Sequence, residues 1–143
     1  MRRLPILFAA LLAPVLAAAA DGAAPAAGVV PADGTVEASV RESLRLLRSG
    51  QVDQWIADWC DTESLCRSSG LEELKRYGLA RGQKDAKMCL HGADDAIIVS
   101  RLEGDPATDE TVKVFVQCDE RTMPVPSTMK KIDGKWKVTS FSW

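Results

Sequence analysis

The sequence predicts an α+β domain, three N-terminal helices packed on one face of a curved antiparallel meander sheet. Three observations carry this expectation. Apolar residues recur at steps of three and four from Val36 to Tyr77, then alternate with polar residues after Gln83. Asp133-Gly134 separates two alternating runs and is the dipeptide best suited to a two-residue hairpin turn. Finally, the registers of two successive hairpins place the same apolar residues on one face.

The first helix is read in "TVEASVRESLRLLRSG", where Val36, Val40, Leu44 and Leu47 share a face. Glu37 and Glu42 come early, Arg45 and Arg48 late, and Gly50 is placed to end it. A second helix starts near Val52 or Asp53, with Val52, Trp55, Ile56, Trp59 and Cys60 forming a full apolar stripe. The third is opened by "SGLE", in which Ser69 and Glu72 have capping-box spacing. Leu71, Leu74 and Tyr77 supply its buried side, and Gly78 closes it.

Beyond Gln83, "AKMCLHGADDAIIVSRLEG" reads as two short strands around a turn at Gly92 to Asp95. "TVKVFVQC" alternates Val112, Val114, Val116 and Cys118 on one face, and "MPVPSTMKKIDGKWKVTSFSW" is a hairpin. With Asp133-Gly134 as its loop, Lys131 faces Trp136, Met129 faces Val138 and Lys130 faces Lys137. With a loop at Asp119 to Thr122, Val116 faces Val125 and Val112 faces Met129. Val112, Val116, Val125, Met129, Trp136 and Val138 then share one face. Phe141 and Trp143 fall on the other side unless a bulge near Ser140 turns them inward.

The N-terminal stretch "MRRLPILFAALLAPVLAAAA" has Arg2 and Arg3, a short apolar run and Ala18-Ala19-Ala20 before Asp21. That is the pattern of a cleavable signal peptide over residues 1–20, cut after Ala20, and it predicts a periplasmic or secreted protein with no membrane attachment once the signal is removed. Residues 21–34, rich in Ala, Pro and Gly, read as a flexible tether, leaving residues 35–143 as one domain. The formal charge of −2 becomes −4 when two arginines leave with the signal, which supplies no electrostatic reason to bind nucleic acid.

The motifs "SGQVDQWIADWCD" and "VPSTMKKIDGKWKVTSFSW" resemble the small exported members of the nuclear transport factor 2-like superfamily (SnoaL-like, cystatin-like cone). The resemblance rests on the Gly-x-x-Asp step from Gly50 to Asp53 and on a final hairpin running from Met129 and Ile132 through Asp133-Gly134-Lys135-Trp136-Lys137 to Val138. It implies a sheet rolled into a cone with a pocket at its open end, lined here by some of Trp55, Trp59, Tyr77, Met129 and Trp136, and either filled as core or holding a small apolar ligand. Members of the family include isomerases, cyclases, dehydratases and ligand binders, and many pair through their sheets, so a homodimer of that kind is an expectation too. The enzymatic members need an Asp or His base inside the cone with a Tyr or acid to hold an oxyanion.

The residues themselves offer no catalytic constellation. His91, the single histidine, sits beside Gly92 in a turn, Asp94-Asp95 reads as a solvated loop, and Asp53 is explained as a first-turn acid. No cofactor is indicated. The four cysteines, at 60, 66, 89 and 118, lack the close pairs of a zinc or redox motif, so disulfides are the default and no metal site is expected. The preferred pairing is Cys60–Cys66 with Cys89–Cys118. The second bridge conflicts with a regular strand at residues 85–91, which would face Cys89 outward and Cys118 inward. It becomes feasible if that segment crosses the mouth of the cone instead.

Three function classes follow. The leading one is an exported binding or interaction module for a small apolar ligand or a protein partner. The second is an isomerase- or dehydratase-like enzyme on a small hydrophobic substrate. The third is an immunity or inhibitor protein directed at a secreted enzyme. Lysines 130, 131, 135 and 137 make the last hairpin basic, which protects an exposed strand and also suits an acidic partner.

Overall fold

A computed structural model describes residues 28–119 and 121–141, without the side chains of Ser68, Ser69 and Phe141. The expected signal peptide, the first part of the tether and Trp143 lie outside the described residues.

Helix α1 (Val36–Arg48) begins where the Thr35 hydroxyl accepts the Ala38 N–H at 3.1 Å. It ends in a Schellman motif. The Gly50 N–H donates to the Leu47 carbonyl and the Gln51 N–H to that of Leu46, both at 3.0 Å, with Gly50 at φ +75°. The predicted face of Val36, Val40, Leu44 and Leu47 is fully buried. Helix α2 (Val52–Trp59) buries Trp55, while Val52, Ile56 and Trp59 pack at the margin of the core. Cys60 leaves the helix in an extended conformation and bridges Val138, and the Asp61 N–H donates to the Val138 carbonyl at 3.0 Å.

The third helix is longer than the sequence suggests. Helix α3 (Ser68–Glu73) passes through a π-helical segment (Leu74–Gly78) directly into helix α4 (Leu79–Cys89). The helix starts earlier than the expected cap at Ser69: Arg67 holds the N-cap position, without a side-chain hydrogen bond, and Ser69 lies in the first turn. Gly78 is helical, at φ −74° and ψ −48°, and stops nothing. Its neighbour Leu79 continues a buried face through Gly82, Asp85, Ala86 and Cys89. Tyr77 falls off that face and is 65% exposed. Residues 85–89 are therefore helical, and of the first expected strand only a bridge between His91 and Ala96 remains, closing the turn at residues 92–95.

The four strands are β1 (Ile98–Glu103), β2 (Thr111–Gln117), β3 (Val125–Ile132) and β4 (Lys135–Phe141), antiparallel in the order β1-β2-β3-β4. Their registers match the expectation pair by pair: Val112 with Met129, Val116 with Val125, Met129 with Val138, Lys130 with Lys137 and Lys131 with Trp136. Asp133 and Gly134 both take positive φ, 50° and 77°, as a type I′ turn requires. A bulge sits at Thr139, where the pairing steps from Met129–Val138 to Thr128–Ser140. The inner face (Val112, Val114, Val116, Val125, Met129, Trp136 and Val138) meets the helices in one core.

Both disulfides pair as expected, Cys60 with Cys66 and Cys89 with Cys118, and they suit an oxidising compartment. The conflict over Cys89 disappears because it ends a helix, from which it reaches the inner face at Cys118. The later part of the expected tether docks on the domain. The Val29 N–H donates to the Ile97 carbonyl at 3.1 Å, which extends the pairing beside β1 by one bridge.

Candidate functional site

The five residues expected to line a pocket do not converge. Trp55 and Met129 are fully buried between helices and sheet, and the Trp55 indole donates to the Ser43 hydroxyl at 2.6 Å. They belong to the core. Tyr77 lies in a shallow hollow on the outside of the helix run, its ring 5.9 Å from the Arg76 guanidinium. Only Trp59 and Trp136 share a cavity.

That cavity is a surface groove of about 440 Å³ between the end of α2 and the β3–β4 hairpin. Trp59 comes from the last turn of α2, and Trp136 from the second residue of β4. Lys135 and Lys137 flank Trp136 in the same groove, with Ala57 and Asp58 opposite. The Lys137 ammonium donates to the Ala57 carbonyl at 3.4 Å and so joins hairpin to helix. Asp58 accepts a hydrogen bond from Gln54, one turn earlier. Lys131 lies 5.6 Å from the Trp136 ring centre, within cation–π range. The result is a groove floored by the edges of two largely covered indoles and edged with ammonium groups, because hairpin alternation turns Trp136 inward and its neighbours outward.

The carboxylates that depart from ordinary titration serve the fold. Asp95 was expected in a solvated loop, but its side chain is only 11% exposed. It sits at φ +54°, takes two hydrogen bonds from Arg48 and accepts a third from Arg45 Nε at 3.2 Å. The Arg48 hydrogen bond, against the opposing effect of burial, holds its carboxyl below the usual range. Asp61 is held low chiefly by the Ser64 hydroxyl, with help from the Glu63 N–H and the Lys130 charge. Arg45 is raised by its pairing with Glu42 and then by Asp95. Asp94 stays exposed, as expected, while Asp53 pairs with Lys75 at 3.2 Å.

His91 is partly buried, with Nε2 at 3.2 Å from the Gln117 carbonyl and Nδ1 at 3.6 Å from Asp119. These contacts tie the turn to the end of β2. All four cysteines are bridged, and among the described residues no group of three or more His, Cys, Asp or Glu side chains is gathered for a metal. No protein-family model, curated protein or solved structure matches the chain.

Proposed function

We propose that this chain is an exported binding domain of the nuclear transport factor 2-like kind that docks an acidic protein segment in the Trp59–Trp136 groove. One observation carries the reading: the half-buried Trp59 and the edge of the largely buried Trp136 line one groove beside Lys135 and Lys137, while Trp55 and Met129 are closed off inside the core. A filled interior with a lysine-edged groove over two indoles suits an interaction protein better than a carrier of apolar ligands. Tryptophan supplies contact area at low entropy cost, and the lysines select for negative charge beside the inserted group. Export through a cleaved signal peptide, to the periplasm or beyond, agrees with two disulfides in so small a domain.

The test is a fluorescence titration with short acidic peptides that carry leucine or phenylalanine. Binding is expected to shift tryptophan emission, to weaken about tenfold in Lys135→Glu/Lys137→Glu, and to weaken as salt rises. Trp59→Phe should remove most of the spectral response while leaving the thermal midpoint within a few degrees. Equal binding by the charge-reversed variant, or a response to uncharged apolar ligands alone, would overturn the proposal.

A further inference from the structure

A second cleft, of about 690 Å³, opens between α4 and the β2–β3 loop, on residues the Trp59–Trp136 groove does not use. Its walls carry Arg81 and Lys84 from the helix and Arg121 from the loop, with Met88 and Met123 beside them. The single described carboxylate in the cleft is Asp85, whose side chain is 6% exposed. Arg121 Nη2 donates to Asp85 Oδ2 at 2.7 Å, and Arg81 Nε stands 3.9 Å from the same oxygen. Two guanidinium groups are thus drawn to one buried atom, which neutralises only one of them. Lys84 has no carboxylate partner among the described residues.

A fold that needed only to satisfy Asp85 would need one arginine. Among the described residues of the cleft, three cations surround one carboxylate, an excess of positive charge in a chain whose net charge is −2. Such self-repulsion destabilises the free protein and is relieved by an anion. The walls are also held firmly. Cys89–Cys118 joins the end of α4 to the end of β2, the Asp119 N–H donates to the Met88 carbonyl at 2.8 Å, and Gln117 Nε2 donates to the Arg121 carbonyl at 2.9 Å. The cationic groups are therefore presented by a braced frame, which lowers the cost of ordering them around a ligand. Met123, 75% exposed at the rim, and the half-buried Met88 add an apolar margin.

We infer that this cleft binds an alkyl phosphate, its head group among Arg81, Lys84 and Arg121 and its chain along Met88 and Met123. The planar guanidinium forks match phosphate oxygens in pairs, and the lysine adds a point charge. The same chemistry is offered by a soluble phosphate ester and by an anionic lipid head group in a membrane, and the experiment separates the two sources.

Amide resonances of the intact oxidised chain would be followed during titration with hexyl phosphate, inorganic phosphate, and vesicles of phosphatidylcholine with or without phosphatidate. Saturable shifts are expected at residues 81–88 and 121–123, with hexyl phosphate bound about fivefold or more tighter than inorganic phosphate because of its buried methylenes. Arg81→Gln/Lys84→Gln, at two exposed positions, is expected to weaken binding about tenfold with the thermal melt unchanged. Met123→Ala should cut the advantage of hexyl phosphate without altering the affinity for inorganic phosphate, and serves should the double variant fold poorly. With hexyl phosphate bound, added binding to phosphatidate vesicles over plain phosphatidylcholine, lost in Arg81→Gln/Lys84→Gln, would assign the membrane as the source, and no vesicle binding would assign a soluble phosphate ester. Unchanged affinity in Arg81→Gln/Lys84→Gln, or equal affinity for the two soluble phosphates, would overturn the inference.

Discussion

Asp95 joins the C-terminal turn of α1 to the turn that leads into β1, and single side chains test that joint cleanly. Asp95→Asn keeps a residue type that tolerates positive φ and removes the charge that Arg45 and Arg48 hold. Because both arginines are more than a third exposed, solvent screens part of the attraction, and the expected loss is about 1–2 kcal/mol. Asp95→Ala should cost about 1 kcal/mol more, since alanine resists the left-handed backbone. Urea unfolding of the three proteins separates these contributions. The same residue sets an acid limit. Asp61 and Asp95 both have folded-state pKa values below those of the unfolded chain, so the stability they confer is complete above the ordinary carboxylate range. It is lost as pH falls from about 4 through their lowered folded values. Asp95→Asn should therefore show a shallower fall in stability over that acid window. A slope equal to that of the unsubstituted protein would remove Asp95 from the account.

At the scale of elements, α1 is the most completely specified by its own residues. Thr35 starts it, the four-residue apolar stripe buries it and Gly50 ends it. Gly50→Ala, at φ +75°, should cost about 1–2 kcal/mol from backbone strain alone, readable as a lowered urea midpoint at constant slope. The hairpins were equally legible, for a physical reason: a type I′ turn at Asp133-Gly134 sets the register locally, and alternation propagates it. The second half of the long helix was not. Between Leu79 and Cys89 its buried face is carried by Gly82, Asp85 and Ala86, which make a weak hydrophobic period, and a π segment changes the phase at Gly78. Small residues there let α4 lie close against α1, a benefit that exists only once both helices are present. Tyr77 was misjudged for the same reason. Asp95 reads as solvated from sequence because its arginine partners lie 47 and 50 positions away in the chain. Of the candidate groove, the sequence marked Trp59 and Trp136 as aromatic wall and the flanking lysines as a basic patch. It placed Trp55 and Met129 on buried faces but left open whether the cone they line is filled or open, which depends on how helices and sheet close together.

Across the whole molecule, the two disulfides divide the work of holding layers together, and loop length predicts how unequally. Cys60–Cys66 spans six positions and secures the chain between α2 and α3 beside β4. Cys89–Cys118 spans 29 positions and ties the end of the helix run to the end of β2, so that β1 and its flanking turns lie within its loop. The constraint on the unfolded chain grows with the logarithm of the loop, giving about 2 kcal/mol for the short bridge and about 3–4 kcal/mol for the long one. All four cysteines are at most 4% exposed, so replacing either bridge also leaves core volume unfilled, and the difference between the two rests on loop length. Cys60→Ala/Cys66→Ala should therefore remain folded with a moderately lowered urea midpoint. Cys89→Ala/Cys118→Ala should lose a large share of a total that, for a domain of this size, is about 5–15 kcal/mol. The lost contacts should localise too. Hydrogen exchange of the long-bridge variant should quicken first at the ends of α4 and β2, where the Asp119 N–H to Met88 bond depends on their proximity. A long-bridge variant as stable as the short-bridge one would show that the joint between α4 and β2 is made by packing and the Asp85–Arg121 pair, with the disulfide adding little.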